Sequence, residues 1–369
     1  MPTAGFRFVN PPNPVYKWFK HNASIPIEVT RNSHDITRRS MIRISAFAVA
    51  AIAAAPVANG WELVQVDGRD YVTMESVKQF YHFDTMTRDG DSVKLENRSV
   101  VMKLKVGQQD CFMNNVKFVF SYKVECSGSK VLVSRIDLAK LIDPVLRPNY
   151  IAGAGNFRTV ILDPGHGGKD AGATNSIGTE AAYNILLANK LKPLLEQRGF
   201  KVLLTRDSNR YLTLQERVDI ANRIKDQSIF ISLHFNAGGR NAYGIETFTL
   251  SPKGVAHYGR DLRTGDFQDR TGNSQDSANI ALATAIHGSV LRRLGTNTFD
   301  RGIKRARFSV LTGVKHPAIL FEGGFMSHPR EARLIHNEAY QNALANGIVD
   351  AVLKYRYAVS GTARAGARQ

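Results

Sequence analysis

Val160-Ile161-Leu162-Asp163-Pro164-Gly165-His166-Gly167-Gly168 decides the fold. The apolar run reads as a buried strand, and Asp163-Pro164-Gly165 stops it. A histidine follows at once, and two glycines let the backbone turn sharply beside it. From this point strand and helix patterns alternate. Strand candidates are Thr159–Asp163, Val202–Thr205, Ile229–His234, Ile245–Leu250 and Ala318–Glu322. Helix candidates are Thr179–Gln197, Leu214–Lys225, Ser277–Leu294 and Glu331–Lys354. The second of these opens on Thr213-Leu214-Gln215-Glu216, a capping box, and the first ends at Gly199, a helix stop. Alternation of this kind implies an α/β fold, with a mixed, largely parallel sheet flanked by helices.

Three further residues share the setting of His166. Glu180 lies fourteen residues later, in the first turn of a helix. It shares a helical face with Leu187, Leu191 and Leu194, which aims it at the sheet. An acid pointing inward wants a partner. A metal ion is one, and a surface salt bridge or the helix dipole is the simpler alternative. His234 ends the strand Ile229-Phe230-Ile231-Ser232-Leu233-His234, where a satisfied core histidine is the competing reading. That alternative weakens because His166 ends another strand in the same way, and open α/β sheets build their sites beyond the carboxyl ends of strands. Glu322 ends Ala318-Ile319-Leu320-Phe321 and runs into Gly323-Gly324. A carboxylate delivered by a buried run is costly unless it is paired or functional. Two histidines and a carboxylate suit a hydrolytic Zn²⁺ site with an open position, and a further glutamate suits a general base.

Six stretches then carry a resemblance. They are Ile161 to Ala173, Thr179 to Ala188, Leu204-Thr205-Arg206-Asp207, Leu214 to Asn222, Ile231 to Ala237 and Ile319 to Ser327. In order and spacing, residues from about 158 to 355 resemble the zinc-dependent N-acetylmuramoyl-L-alanine amidases of the amidase-3 type. The resemblance implies that His166, Glu180 and His234 hold Zn²⁺ and that Glu322 is the catalytic glutamate. It implies cleavage of peptidoglycan at the amide between N-acetylmuramic acid and the L-alanine of the stem peptide. Two departures stand out. His328 occupies a position where the family often has asparagine, and residues 255–276 are too short and too polar for the regulatory helix of some relatives. We read residues 255–276 as a mobile surface loop near the site.

Upstream, residues 61–148 read as short strands and turns forming a small strand-rich α+β domain, with no cluster of titratable residues that looks catalytic. The opening Asp67-Gly68-Arg69-Asp70-Tyr71-Val72 and the closing Leu132-Val133-Ser134-Arg135-Ile136-Asp137-Leu138 resemble the copper amine oxidase N-terminal-like accessory domains. That resemblance implies docking on the cell wall or a protein partner, and no copper. Residues 148–155 read as a linker to a catalytic domain at 157–357, and 358–369 as a disordered tail.

The formal net charge is +17. Residues 1–58 carry seven Lys/Arg and two acids, which leaves +12 for residues 59–369. That balance suits an anionic polymer such as a cell wall, or is simply a solvated basic surface. No nucleic-acid motif is present. Thr37-Arg38-Arg39-Ser40 precedes an alanine-rich apolar run from Ile44 to Ala55, too short for a confident membrane span. We read residues 1–58 as an N-terminal extension with an export signal, either twin-arginine or an ordinary basic leader. Export to the periplasm or the cell wall follows, with no stable membrane span. Cys111 and Cys126 lack metal-site spacing; a disulfide and two free thiols both remain open.

Overall fold

The computed structural model describes residues 60–360. The expected export signal in residues 1–58 and the expected disordered tail beyond Ser360 lie outside the described residues. Glu62 onward forms one compact unit.

The strands of that unit are β1 (Leu63–Val66), β2 (Arg69–Thr73), β3 (Thr85–Asp89), β4 (Ser92–Glu96), β5 (Val101–Lys105), β6 (Asp110–Met113), β7 (Val116–Val119), β8 (Glu125–Ser127) and β9 (Lys130–Ser134), then β10 (Thr159–Pro164), β11 (Lys201–Leu204), β12 (Ser228–Asn236), β13 (Ile245–Leu250), β14 (Asp300–Ala306) and β15 (Ala318–Phe325). Among the described residues they form two sheets. The small one has the order β1-β2-β9-β8. The large one runs β11-β10-β12-β15-β13-β14-β7-β6-β5-β4-β3. Strands β11, β10, β12 and β15 are parallel, β13 is antiparallel to β15, and β14 is parallel to β13. The expected mixed, largely parallel sheet flanked by helices is therefore present, preceded by a small strand-rich region.

Burial explains the order. Every residue of β10, β13 and β15 is buried, the mark of strands covered on both faces. One face packs Ile161, Phe230, Leu250 and Leu320 against Val218, Val310 and Leu311. Helices Asp276–Leu294 and Glu338–Val359 pack on each other, and Glu180–Glu196 packs on Glu338–Val359. Thr213 and Glu216 form the capping box anticipated for Leu214–Arg223.

Strand β14 has no strand-like signature, because it reads Asp-Arg-Gly-Ile-Lys-Arg-Ala. Lys304 and Arg305 are nevertheless buried, since Lys304 reaches Glu246 and Arg305 reaches the carbonyl of Lys140. The last helix candidate splits at Asn337, whose side chain accepts from the amides of Ala339 and Tyr340 and so starts a new helix. That helix continues to Val359, past the expected start of a disordered tail at 358. On the helix Glu180–Glu196 the inward residue of the last turn is Leu195, and Leu194 is only half-buried. Cys111 and Cys126 are free thiols, the first buried and the second exposed.

Segment 255–276 departs most from expectation. Strand β13 runs antiparallel to β15, pairing Glu246 with Glu322 and Phe248 with Leu320. A chain leaving β13 at Leu250 therefore starts at the end of the sheet opposite Glu322, not near it. The segment is also well tied. Asp266 is 1% exposed and ion-paired to Arg260 and Arg307; it sits in the short 3-10 turn Thr264–Phe267, and a second, Thr271–Gln275, follows.

Strands of residues 61–148 extend the large sheet rather than standing apart from it. Ile303 on β14 pairs with Phe118 on β7, and the amide of Lys117 donates to Asp300 at 2.8 Å. No helix among the described residues is long and apolar enough to cross a membrane.

Candidate metal centre

Three carboxyl-terminal strand ends and one helix start meet at a single place. His166 follows β10 with φ of 60°, a left-handed conformation that non-glycine residues rarely adopt. Hydrogen bonds enforce it. The amide of Gly165 donates to Leu233 at 3.0 Å, and Arg217 Nη2 donates to the carbonyl of His166 at 2.7 Å. A Cβ on Gly165 would lie 2.1 Å from the His234 ring, so only glycine lets the first strand end pass this close to the second histidine.

Glu180 opens its helix behind the N-cap Thr179, whose side chain accepts from the amide of Ala182. The carboxylate is turned back under the preceding loop. Ala173 N donates to Oε2 at 2.9 Å and Phe235 N to Oε1 at 3.2 Å. Both histidines converge on it: His234 Nδ1 lies 2.8 Å from Oε1, and His166 Nε2 lies 3.2 Å from Oε2. One ligand atom from each of His166, Glu180 and His234 fits within 4.8 Å of the others. Burial works against ionisation of Glu180, but hydrogen bonds from His166 and His234 outweigh it and hold its carboxyl well below the ordinary range. Burial also works against protonation of His166, but bonds to Glu180 and Asp170 outweigh it and raise that imidazole.

Glu322 stands on the adjacent strand. It is level with His234 in the parallel β12–β15 pairing and with Glu246 in the antiparallel β13–β15 pairing. The residue is 8% exposed, and its Oε2 is buried with no hydrogen-bond partner among the described residues. Burial, reinforced by the charges of Glu180 and Glu246, pushes its carboxyl well above the usual glutamate value. An unpartnered buried carboxylate oxygen is expensive unless something from outside engages it. Two imidazoles and a carboxylate with an acid alongside fit Zn²⁺ in a catalytic rather than a closed structural site.

Other residues hold this arrangement, and the sequence does not single them out. Asp170 Oδ2 lies 2.9 Å from His166 Nδ1, leaving Nε2 to face Glu180. Arg206 is 1% exposed and donates to the carbonyls of Pro164, Gly165, Ala181 and Ser208. One guanidinium thus ties the end of β10 to the start of the Glu180 helix. Asp163 is equally buried and accepts from Thr205, Ser232 and Arg217. Asp170, Arg206 and Arg217 all lie inside the six family-like stretches. Nothing in their spacing distinguishes an inward arginine from a surface one. His328 has a local role: its Nδ1 accepts from the amide of Glu331, and its ring lies 5.3 Å from that of Tyr243.

Known proteins resemble this chain. The amidase-3 family profile, described as N-acetylmuramoyl-L-alanine amidase, matches residues 160–354. The chain is 30% identical over 198 residues to YqiI of Bacillus subtilis (strain 168), named as uncharacterized; the match covers 54% of this chain and 84% of that protein. It is 26% identical over 251 residues to the N-acetylmuramoyl-L-alanine amidase AmiA of Escherichia coli (strain K12), covering 62% and 86%. Among solved structures, an N-acetylmuramoyl-L-alanine amidase from Clostridium difficile 630 has 34% identity and a TM-score of 0.44, covering 54% of this chain and 97% of that one.

Proposed function

Because this chain belongs to the N-acetylmuramoyl-L-alanine amidase family, we propose that it is a zinc-dependent peptidoglycan hydrolase acting outside the cytoplasm. The bond cleaved is the amide between the lactyl group of N-acetylmuramic acid and the L-alanine of the stem peptide. The observation that carries this proposal is the convergence of His166, Glu180 and His234 beside the unpartnered Oε2 of Glu322.

In this mechanism His166, Glu180 and His234 hold the Zn²⁺. When bound, the ion acidifies a water and polarises the scissile carbonyl. Glu322 takes the proton from the attacking water, and its buried setting suits an acid that must also give the proton back. It returns the proton to the alanine nitrogen as the carbon–nitrogen bond breaks. The products are a lactyl carboxylate on the sugar and a stem peptide with a free amino terminus. Asp170 holds His166 in the tautomer that presents Nε2, and Arg206 fixes the spacing between His166 and Glu180.

Residues 157–357 carry this chemistry in our proposal. Residues 61–148 act as an accessory segment that brings the enzyme to the wall or to a protein partner. The leader in residues 1–58 directs export to the periplasm or cell wall. Digestion of purified peptidoglycan with mass analysis tests the central claim. Free stem peptides beginning at L-alanine, from protein carrying about one zinc per chain, are expected. Products that retain the lactyl–alanine bond, or full activity in metal-free protein, would overturn it.

A further inference from the structure

Arg301 lies in the second position of β14, one strand beyond the strand that faces Glu322. Strands β13 and β14 are parallel and pair Ile245 with Asp300 at their starts, while β13 pairs Glu246 with Glu322. The start of β14 is therefore at the same end of the sheet as the metal centre. The Arg301 guanidinium rests on the Phe325 ring, 4.8 Å from its centroid, and Phe325 follows Glu322 by three residues. Its Nε donates to Glu246, and its Nη groups have no hydrogen-bond partner among the described residues. The side chain is 30% exposed, so it is reachable from solvent at this end of the sheet.

The neighbouring carboxylates all have partners other than the Arg301 Nη groups. Glu246 forms a buried pair with Lys304 at 2.7 Å, with both side chains 4% exposed, and also accepts from Asn236. Asp300 accepts from His287, Lys117 and Gly302. Glu331 accepts from the amides of Gly244 and Phe325. What remains is a planar fork of unused donors, fixed at one edge by Glu246 and on one face by an aromatic ring. A guanidinium so held matches a planar carboxylate, which accepts two parallel N–H bonds.

We propose that Arg301 reads a free carboxylate on the peptide side of the substrate, carried by the stem beyond L-alanine. The inference rests on the amidase function proposed above. It adds a specificity that neither the metal centre nor Glu322 supplies. The cleaved linkage itself carries no anion, so the charge that Arg301 matches lies along the stem.

Two muropeptides test this, identical except that a stem residue beyond L-alanine bears a free carboxylate in one and a carboxamide in the other. The unmodified enzyme is expected to favour the carboxylate form by roughly 10- to 100-fold in kcat/KM, the range of one charge-assisted hydrogen-bonded contact. Arg301→Gln should remove that preference mainly through KM, bringing the two substrates within about twofold. Arg301→Lys keeps the charge without the fork and should retain part of the preference. Equal kcat/KM for the two substrates with the unmodified enzyme would overturn the proposal without any variant. A folded Arg301→Gln protein that loses both activities equally would overturn it too. Failure of the unmodified enzyme to cleave either substrate would instead sink the amidase proposal, and this inference with it.

Discussion

His166 Nδ1 and Asp170 Oδ2 lie 2.9 Å apart, four residues from each other in a loop that has just left a buried strand. The contact fixes which nitrogen of His166 faces Glu180. A carboxylate behind a metal-binding imidazole sets its tautomer and raises its basicity. Asp170→Asn should therefore weaken zinc affinity by about 10- to 100-fold. Competition with a chromophoric chelator measures this directly. An unchanged affinity would assign the pair to loop structure alone.

Replacing Glu322 with Gln separates proton transfer from metal binding. Amide hydrolysis should fall by roughly 100-fold or more, the usual contribution of a general acid–base group. Zinc content by metal analysis should stay the same. The pH dependence has a definite sign. Glu322 is raised, with burial as the leading cause, so its base form is lost as pH falls through a value above the ordinary 4.5. The acid limb of kcat/KM should lie above that value and disappear in the residual activity of the Gln variant. An acid limb unaffected by the substitution would place the ionisation elsewhere.

Asp266 offers a stability test away from the metal centre. Hydrogen bonds from Arg260, acting against burial, hold its carboxyl well below the ordinary range. A depressed acid stabilises the fold above its unfolded pKa, near 3.9, and the stabilisation fades as pH falls below it. Asp266→Asn should cost about 3 kcal/mol near neutrality, because Arg260 and Arg307 lose a buried partner. Denaturant unfolding at several pH values should show that deficit shrinking below about pH 4. A deficit independent of pH would mean the loss is one of packing rather than charge.

The junction between Phe118 and Ile303 makes one sheet of two sequence segments. Unfolding of residues 61–360 should accordingly be a single cooperative transition by calorimetry. Phe118 is fully buried, so Phe118→Ala should destabilise the whole unit by about 3 to 5 kcal/mol. Removing residues 61–148 would bare the edge of β14 and should produce aggregation. Two well-separated transitions, with only the first shifted by Phe118→Ala, would contradict this.

Much of the fold is legible in the sequence because its signals are local. Apolar runs that stop at Asp-Pro-Gly, at His-Phe-Asn and at Glu-Gly-Gly mark three site-bearing strands. Helix starts are equally clear where a side chain caps the backbone, as at Thr213. Strand β14 is not legible, because Asp300, Lys304 and Arg305 look like surface residues until their buried partners are known. The antiparallel course of β13 is also hidden. Strand direction leaves no mark in a single sequence, and it alone moves the segment after Leu250 to the far end of the sheet.

The sequence by itself determined the α/β class and the positions of two histidines and two glutamates at element ends, the residue types that suit the metal site proposed above. Periodicity and turn chemistry act over a few residues, and those features need nothing more. Only the tertiary structure decided that Glu180 receives both histidines, that Asp170 and Arg206 brace them, and that Glu322 keeps one oxygen unpartnered. Those relations depend on strand order and register, which bring residues far apart in the chain within hydrogen-bond reach.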